Sequence, residues 1–189
     1  MKVRDSGMPE EAIWNDFFNV DFLLSELNID SQITDLVEIG SGYGTFTIPA
    51  ARLIKGKLYA FDIEDEMIDV LNQKIEKEQV YNIVSAKRDI LIHTTGLTEN
   101  SIDYLMLFNI LHHESPLEFI NEAYRILKPN GKIGIIHWRS DISTPRGPEL
   151  TIRPKPEQIT TWFDKQKFRI DKQPFIIEPY HFGIVIQKL

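Results

Sequence analysis

The chain contains no cysteine among its 189 residues. This absence excludes disulfide bonds, thiolate metal sites and cysteine nucleophiles, while it leaves the cellular compartment open. The five histidines are not accompanied by carboxylates at the spacing of a metal site. We therefore expect no bound metal ion.

Positive charge and long apolar runs are also scarce. The formal net charge is −7, with 21 Lys and Arg against 28 Asp and Glu. A surface of that sign is unsuited to neutralising phosphates, so we expect no DNA partner. No apolar run is long enough to span a bilayer and no signal peptide is visible, which favours a cytoplasmic protein without membrane insertion.

The length and composition favour one domain over residues 1–189. A hydrophobic fraction of 42% is enough for a sizeable core, and the chain is too short for two comfortable domains. The sequence leaves the oligomeric state open between a monomer and a homodimer.

Helical and strand-like patterns alternate along most of the chain. An aromatic-rich amphipathic helix is predicted at 10–28, and further helices at 46–54, 65–79 and 115–127. Seven strands are predicted at 34–39, 57–62, 82–86, 101–109, 132–138, 168–177 and 181–187. The alternation predicts an α/β fold, namely a Rossmann-like, doubly wound, mostly parallel seven-stranded sheet with an antiparallel C-terminal hairpin. Ligands of such sheets bind beyond the carboxyl ends of the strands.

Three glycines follow the first predicted strand. Gly40, Gly42 and Gly44 allow positive φ and close approach of a ligand to the backbone. Their Gly-x-Gly-x-Gly spacing differs from the Gly-x-Gly-x-x-Gly of a dinucleotide site, and Glu38 stands just before them, where it would repel a pyrophosphate. Asp62 ends the second strand, where a carboxylate can accept both ribose hydroxyls. The pattern indicates a cationic nucleoside.

With these motifs, residues 36–138 resemble the class I S-adenosylmethionine-dependent methyltransferases, in particular the UbiE-like group (methyltransferase domain 11/25 type). The resemblance implies S-adenosylmethionine (SAM) as cofactor, with the glycine loop at its methionine part, Asp62 at the ribose, and Ile63, Met67 and Asp89 near the adenine. Segments Asn109–His113 and Leu127–Lys132 match the family's fourth motif and its turn into the fifth strand. The implied cofactor-binding residues are Glu38, Gly40, Ser41, Gly42, Gly44, Asp62, Ile63, Met67, Asp89, Ile90 and Asn109. Alternatively, Asp62 caps a helix, Asp89 is a surface acid and Met67 is helix core.

Methyl transfer from a sulfonium is a direct displacement, so the protein mainly aligns the reactants in a dry site. A hydroxyl or ammonium acceptor would need a general base, for which His112, His113 and His137 are the candidates at predicted strand ends. The family pattern implies that at least one of the adjacent pair is structural. DNA is disfavoured as acceptor, since no Asn-Pro-Pro-aromatic motif of amino-directed DNA methyltransferases follows the fourth strand. A small molecule or a protein side chain remains, and a small molecule is favoured.

Two segments are candidates for the acceptor side. The proline-rich loop 139–156 carries Arg146 and Arg153, which we expect either to bind an anionic acceptor or to tie the loop to the body. Residues 1–30, with the aromatic helix, are a candidate lid that would bring Trp14 to the substrate, or they pack on the sheet edge or on a second subunit.

Two other functions remain open. One is a non-catalytic nucleoside-binding or regulatory protein of the same fold. The other is an NAD-dependent oxidoreductase, which the acid after strand two would fit but the glycine spacing does not.

Overall fold

The computed structural model describes residues 10–189. The expectation that the start of the chain holds no signal peptide falls mainly on residues outside that range. Within residues 10–189, no helix is long and apolar enough to cross a membrane. In the same range, no three metal-ligating side chains are grouped so that they could hold a metal ion.

A seven-stranded sheet forms the centre of the molecule. Its strands are β1 (Leu36–Ile39), β2 (Leu58–Asp62), β3 (Ile83–Lys87), β4 (Ile102–Phe108), β5 (Leu127–Trp138), β6 (Phe168–Ile177) and β7 (His181–Lys188). The order is β3-β2-β1-β4-β5-β7-β6, with β7 antiparallel to both of its neighbours and the other pairs parallel. The predicted fold class is confirmed.

The helices are short apart from two, and at least three of them pack against strands of the sheet. They are α1 (Glu11–Asn15), α2 (Val20–Glu26), α3 (Thr47–Leu53), α4 (Asp65–Glu78), α5 (Ile90–His93), α6 (Pro116–Ile126) and α7 (Pro156–Thr161), with a 3₁₀ turn at Leu150–Ile152. Alternate residues of β4 enter opposite core layers: Tyr104 and Met106 belong to one, Leu105 and Leu107 to the other. Burial on both faces explains why this strand is apolar almost throughout.

The N-terminal helix differs from the prediction. The expected single helix at 10–28 is two helices, α1 and α2, separated by four residues. The side chain of Asn19 accepts a hydrogen bond from the Phe22 amide at 3.2 Å and so starts α2 afresh, as asparagine does at an N-cap. The break leaves Trp14 and Phe18 both buried, with ring centroids 5.0 Å apart.

Two other boundaries differ. Strand β5 begins at Leu127 instead of residue 132, because Leu127 already pairs with Ile102 before a register shift. The loop 139–156 is not wholly extended, since it includes the 3₁₀ turn and ends at Pro156, where proline suits the first helical position of α7.

Candidate functional site

The turn after β1 is held close to the neighbouring strands. The amides of Gly40 and Ser41 both donate to the Phe61 carbonyl, at 2.7 and 3.1 Å. Gly40 has φ +81°, and a Cβ there would lie 2.8 Å from Cγ2 of Ile110, in the segment after β4. Only glycine fits this conformation and this close approach without strain.

Asp62, the last residue of β2, holds two turns at once. One carboxylate oxygen accepts from the Gly42 amide at 2.8 Å, and the other accepts from the amides of Ile63 and Glu64 at 2.7 and 3.1 Å. This carboxylate therefore fixes the glycine loop as well as the turn into α4. Asp62 thus has the helix-capping role that was the alternative to ribose binding, and it also lies at the predicted cofactor site.

Glu38 lies within β1 beneath the glycine loop and is 2% exposed. The Thr47 hydroxyl of α3 donates to its carboxyl group. Burial, and to a smaller extent the charge of Asp62, raises the pKa of Glu38 from 4.5 to about 8, although the Thr47 hydrogen bond opposes the shift. At neutral pH the carboxyl group therefore holds its proton unless a cation is placed beside it.

A cavity of about 660 Å³, here called the cleft, opens above the glycine loop. A smaller cavity of about 110 Å³, here called the inner recess, continues it along the ends of β2 to β4. Five residues line both and therefore mark the passage between them: Gly40, Asp62, Ile63, Asn109 and Ile110. The carboxyl edge of the parallel strands is thus one continuous groove, where ligands of this kind of sheet bind.

Asn109 is the most unusual polar residue in this groove. It follows β4 with φ +56° and is 6% exposed. Neither its amide nitrogen nor its amide oxygen has a hydrogen-bond partner among the described residues. Buried amides are normally paired, so a donor and an acceptor here are available to a ligand.

The other predicted cofactor residues fall into three groups. Met67 and Ser41 line the cleft, and the Ser41 hydroxyl is buried without a partner in the described part of the chain. Asp89 and Ile90 line the inner recess, although Asp89 also accepts from the Leu91 amide at 3.0 Å and so caps α5. Gly44 lines neither cavity: its φ is +78° and a Cβ would lie 2.7 Å from Cδ1 of Leu71, so it lets α4 pack against the loop.

The three candidate histidine bases are not grouped at the cleft. Nδ1 of His113 accepts from the Ser115 amide at 3.0 Å, which fixes the turn into α6. His137 is fully buried, with Nδ1 3.2 Å from the Trp138 carbonyl, and His112 packs on it with ring centroids 5.5 Å apart. Burial lowers the pKa of His112 to about 4 and that of His137 to about 3, so both are neutral and weakly basic near pH 7. Of the three, only His112 and His113 reach the inner recess, and none lines the cleft.

The two candidate arginines differ in their surroundings. Arg153 is 7% exposed and donates to the carbonyls of Pro148 and Arg139, at 2.8 and 2.9 Å, and to the Thr144 hydroxyl at 2.7 Å. Its guanidinium also lies 5.3 Å from the ring centroid of Trp138. These contacts are the ones expected if Arg153 ties loop 139–156 to the body of the protein and does not bind an anionic acceptor. Arg146 is exposed and lines neither the cleft nor the inner recess.

Helix α1 lies against the glycine loop. Lys74 of α4 forms an ion pair with Glu11 and donates to the Tyr43 carbonyl at 2.6 Å. The Thr45 hydroxyl donates to the Asn15 side chain at 2.7 Å. These contacts place Trp14, which lines the cleft, with its ring centroid 6.1 Å from that of Trp138.

Sequence reasoning missed several residues that line the groove. Those in the cleft are Tyr43, Thr45, Phe46, Glu64, Glu66, Phe108, Ile110 and Trp138, and those in the inner recess include Leu91 and Phe119. Phe108, Ile110 and Trp138 stand at or beside predicted strand ends, which is the signal that could have found them, but their apolar character instead indicated core.

Comparison with known proteins agrees with this geometry. A SAM-dependent methyltransferase structure from Aquifex aeolicus superposes with a TM-score of 0.82, at 21% identity, over 100% of this chain and 97% of that one. A SAM-dependent methyltransferase structure from Methanosarcina mazei superposes with a TM-score of 0.69 at 15% identity, over 86% of this chain and 95% of that one. These likenesses establish the fold as that of the class I SAM-dependent methyltransferases.

Residues 37–135 match the family model described as a methyltransferase domain. The chain belongs to that methyltransferase family, as the motifs indicate. An uncharacterized methyltransferase-like protein of Schizosaccharomyces pombe is 28% identical over 142 residues, which are 75% of this chain and 50% of that protein. The demethylmenaquinone methyltransferase of Lactobacillus johnsonii is 26% identical over 119 residues, which are 61% of this chain and 47% of that protein. The chain spans about half the length of these curated relatives.

Proposed function

We propose that this protein transfers the methyl group of SAM to a small-molecule acceptor. The observation that carries the proposal is the continuous groove at the carboxyl edge of the sheet, with Glu38 and Asp62 beneath the glycine loop and the unpartnered amide of Asn109 at its centre. An acidic, glycine-lined groove suits a cationic nucleoside, and membership of a methyltransferase family supplies the reaction.

The described residues fit SAM in their chemistry. Glu38 and the glycine loop would hold the methionine part, and Asp62 has lone pairs left for the ribose hydroxyls beyond its backbone bonds. The inner recess, with Ile63, Asp89 and Ile90, would take the adenine. When bound, SAM supplies an electrophilic methyl group on a positively charged sulfur, so the protein needs to align the acceptor and exclude water.

Two segments would close the acceptor side. We assign the N-terminal helices the role of a lid, supported by the Lys74 and Thr45 contacts that hold α1 beside the cleft. Trp138, the last residue of β5, would form the opposite wall, and loop 139–156 packs on it through Arg153. We further propose that the protein acts in the cytoplasm, as a monomer or a homodimer.

Titration calorimetry tests the donor. SAM is expected to bind with one site per chain, and NAD is expected not to bind, because the Gly-x-Gly-x-Gly spacing is not that of a pyrophosphate-binding loop. Failure of SAM to bind would overturn the proposed function, and tight NAD binding would favour an oxidoreductase.

Transfer of the methyl group is tested separately, because a non-catalytic binding protein would also bind SAM. We expect a fraction of small metabolites to acquire label from methyl-labelled SAM in the presence of the protein. If no metabolite acquires label while the protein is saturated with SAM, the non-catalytic regulatory alternative is favoured.

Arg153 offers a further test of the acceptor side. Arg153→Ala is expected to destabilise the protein by at least about 2 kcal/mol, because it leaves buried acceptors in the loop without donors. Arg146→Ala, the matched change at an exposed position of the same loop, is expected to leave stability, SAM affinity and the acceptor KM unchanged. Chemical denaturation and initial-rate kinetics measure both, and a raised acceptor KM in Arg146→Ala with unchanged SAM affinity would restore an anion-binding role for the loop.

A further inference from the structure

The charges that line the cleft are all of one sign. Four carboxyl groups line it, namely Glu38, Asp62, Glu64 and Glu66, of which Glu38 is ionised only when a cation lies beside it. No lysine, arginine or histidine of residues 10–189 is among its lining residues. SAM would add a single net positive charge. An acceptor with a carboxylate or phosphate would therefore meet carboxylates without a protein cation to pair with it.

Two cations near the cleft, Arg153 and Lys74, do not compensate for this, because both are already paired within the protein. The guanidinium of Arg153 is committed to acceptors within loop 139–156 and to the face of Trp138. Lys74 is paired with Glu11 and with the Tyr43 carbonyl. The charge of the cleft thus selects against anions.

The walls of the cleft are aromatic. Its lining includes Trp14, Tyr43, Phe46, Phe108 and Trp138. The rings of Phe46 and Phe108 meet edge to face with centroids 4.9 Å apart. Such walls bind planar rings through offset and edge-to-face contacts.

None of the buried or half-buried groups that line the cleft is ready to remove a proton near neutral pH, and its other two carboxylates, Glu64 and Glu66, lie at exposed positions. Glu38 already holds its proton at neutral pH because burial raises its pKa to about 8. A cation that ionised Glu38 would also pair with its carboxylate, which would then not be available as a base. Burial, with Glu66, Glu11 and Glu10, raises the pKa of Tyr43 above its ordinary value of 10, so this phenol stays protonated. Asp62 accepts three backbone hydrogen bonds, and the weakly basic histidines lie outside the lining. A nucleophile that needs deprotonation would be poorly served.

We propose that the acceptor is an uncharged, planar aromatic nitrogen base, methylated on a ring nitrogen of the pyridine or imidazole type. This inference rests on the proposed function. The nitrogen lone pair forms the new N–C bond as the methyl carbon–sulfur bond breaks, and sulfur keeps the bonding pair to become a neutral thioether. No proton leaves, and the positive charge passes from sulfur to the acceptor ring. That charge stays among carboxylates and aromatic faces, which stabilise it throughout the transfer.

The test compares bicyclic probes of one size with the full chain and methyl-labelled SAM. The probes are isoquinoline, quinoline and 1-phenylimidazole, with isoquinoline-3-carboxylate as the acidic counterpart and 2-naphthol as the oxygen nucleophile. At least one uncharged nitrogen probe is expected to be methylated, with kcat/KM at least about tenfold above that of the carboxylate, and 2-naphthol is expected to be inert. Preference for the carboxylate or for 2-naphthol, or no transfer to any nitrogen probe, would overturn the proposal.

Two matched charge reversals on α4 test the electrostatic cause. Glu66 lines the cleft and is exposed, whereas Asp69 is exposed on the same helix and does not line it. Glu66→Lys is expected to shift the kcat/KM ratio of isoquinoline-3-carboxylate to isoquinoline upward by about threefold or more, and Asp69→Lys to leave it unchanged. Equal shifts in both variants would contradict a local role of the cleft charges.

Calorimetry separates the two levels of the argument. If SAM does not bind to the chain, the proposed function fails before the acceptor is considered. If SAM binds and the acidic or phenolic probe is preferred, the function stands and only the acceptor class is wrong.

Discussion

Replacing Glu38 with glutamine is expected to stabilise the ligand-free protein and at the same time to weaken SAM binding by about 30-fold or more. Glutamine has nearly the same shape, and its amide oxygen can accept the hydrogen bond that Thr47 donates to Glu38. It carries no charge to offer a sulfonium or an ammonium group. Stability and function are therefore expected to move in opposite directions at this one residue.

The stabilisation follows from the proton on Glu38. Its pKa is about 8 in the folded protein and 4.5 in its ordinary state, so between these values the folded chain holds a proton that the unfolded chain has released. The folded state is thereby favoured at low pH, and the wild-type free energy of unfolding falls as the pH rises from about 4.5 to 8. At pH 7 the difference is on the order of 3 kcal/mol.

Thermal denaturation at several pH values, with SAM calorimetry, measures both effects. Glu38→Gln should flatten the fall in stability between pH 5 and 8, whereas Glu78→Gln, at an exposed ion pair with Arg52, should retain the wild-type profile. SAM affinity of the wild-type protein should rise over the same pH range, because binding requires the ionised carboxylate. A variant that bound SAM like the wild type would exclude Glu38 from the cofactor site.

Replacing Gly40 with alanine is expected to abolish measurable SAM binding while the protein remains folded. The new Cβ would lie 2.8 Å from Ile110, at the passage between the cleft and the inner recess, and the backbone has φ +81°. The left-handed conformation costs an alanine about 1 kcal/mol, and relief of the contact must move the loop or the segment after β4. Both movements distort the groove.

Gly96→Ala is the matched control for this change. Gly96 lines neither cavity, its φ is +73°, and a Cβ would meet only the end of the long side chain of Arg88, a residue that lines the inner recess, at 3.0 Å. It should lose a similar amount of stability, measured by chemical denaturation, and keep its SAM affinity. A parallel loss of affinity in both variants would mean that Gly40 acts only through overall stability.

The sheet could be predicted because its information is local. The apolar run of β4 and the glycines after β1 give the burial and the turn directly, and the alternation of elements gives the parallel order. The break between α1 and α2 could not be predicted from periodicity, because the pattern continues through it and only the Asn19 cap interrupts the helix. Short α5 had too few residues to produce a pattern at all.

The ligand-facing side chains were only partly predictable for a similar reason. Position at a strand end selects Asp62 and Asn109 correctly for the groove, but it does not tell which way a histidine or an arginine turns. His137 is drawn inward by its place between β4 and β7, and Arg153 by the carbonyls of its own loop. Orientation depends on tertiary contacts, which residue type and spacing do not encode.

Arg153 also has a consequence for modifying the protein. Its hydrogen bond to the Arg139 carbonyl joins the two ends of the segment 139–153, while its other donors hold the tip from inside. A loop whose ends are joined at the base is a self-contained module, of the kind that tolerates exchange. Segments of other lengths grafted between residues 140 and 152 should therefore be accepted by the sheet, provided that Arg139 and Arg153 are retained and that the graft supplies acceptors for the buried Arg153 guanidinium. This offers a route to redesigning the acceptor side without rebuilding the donor site.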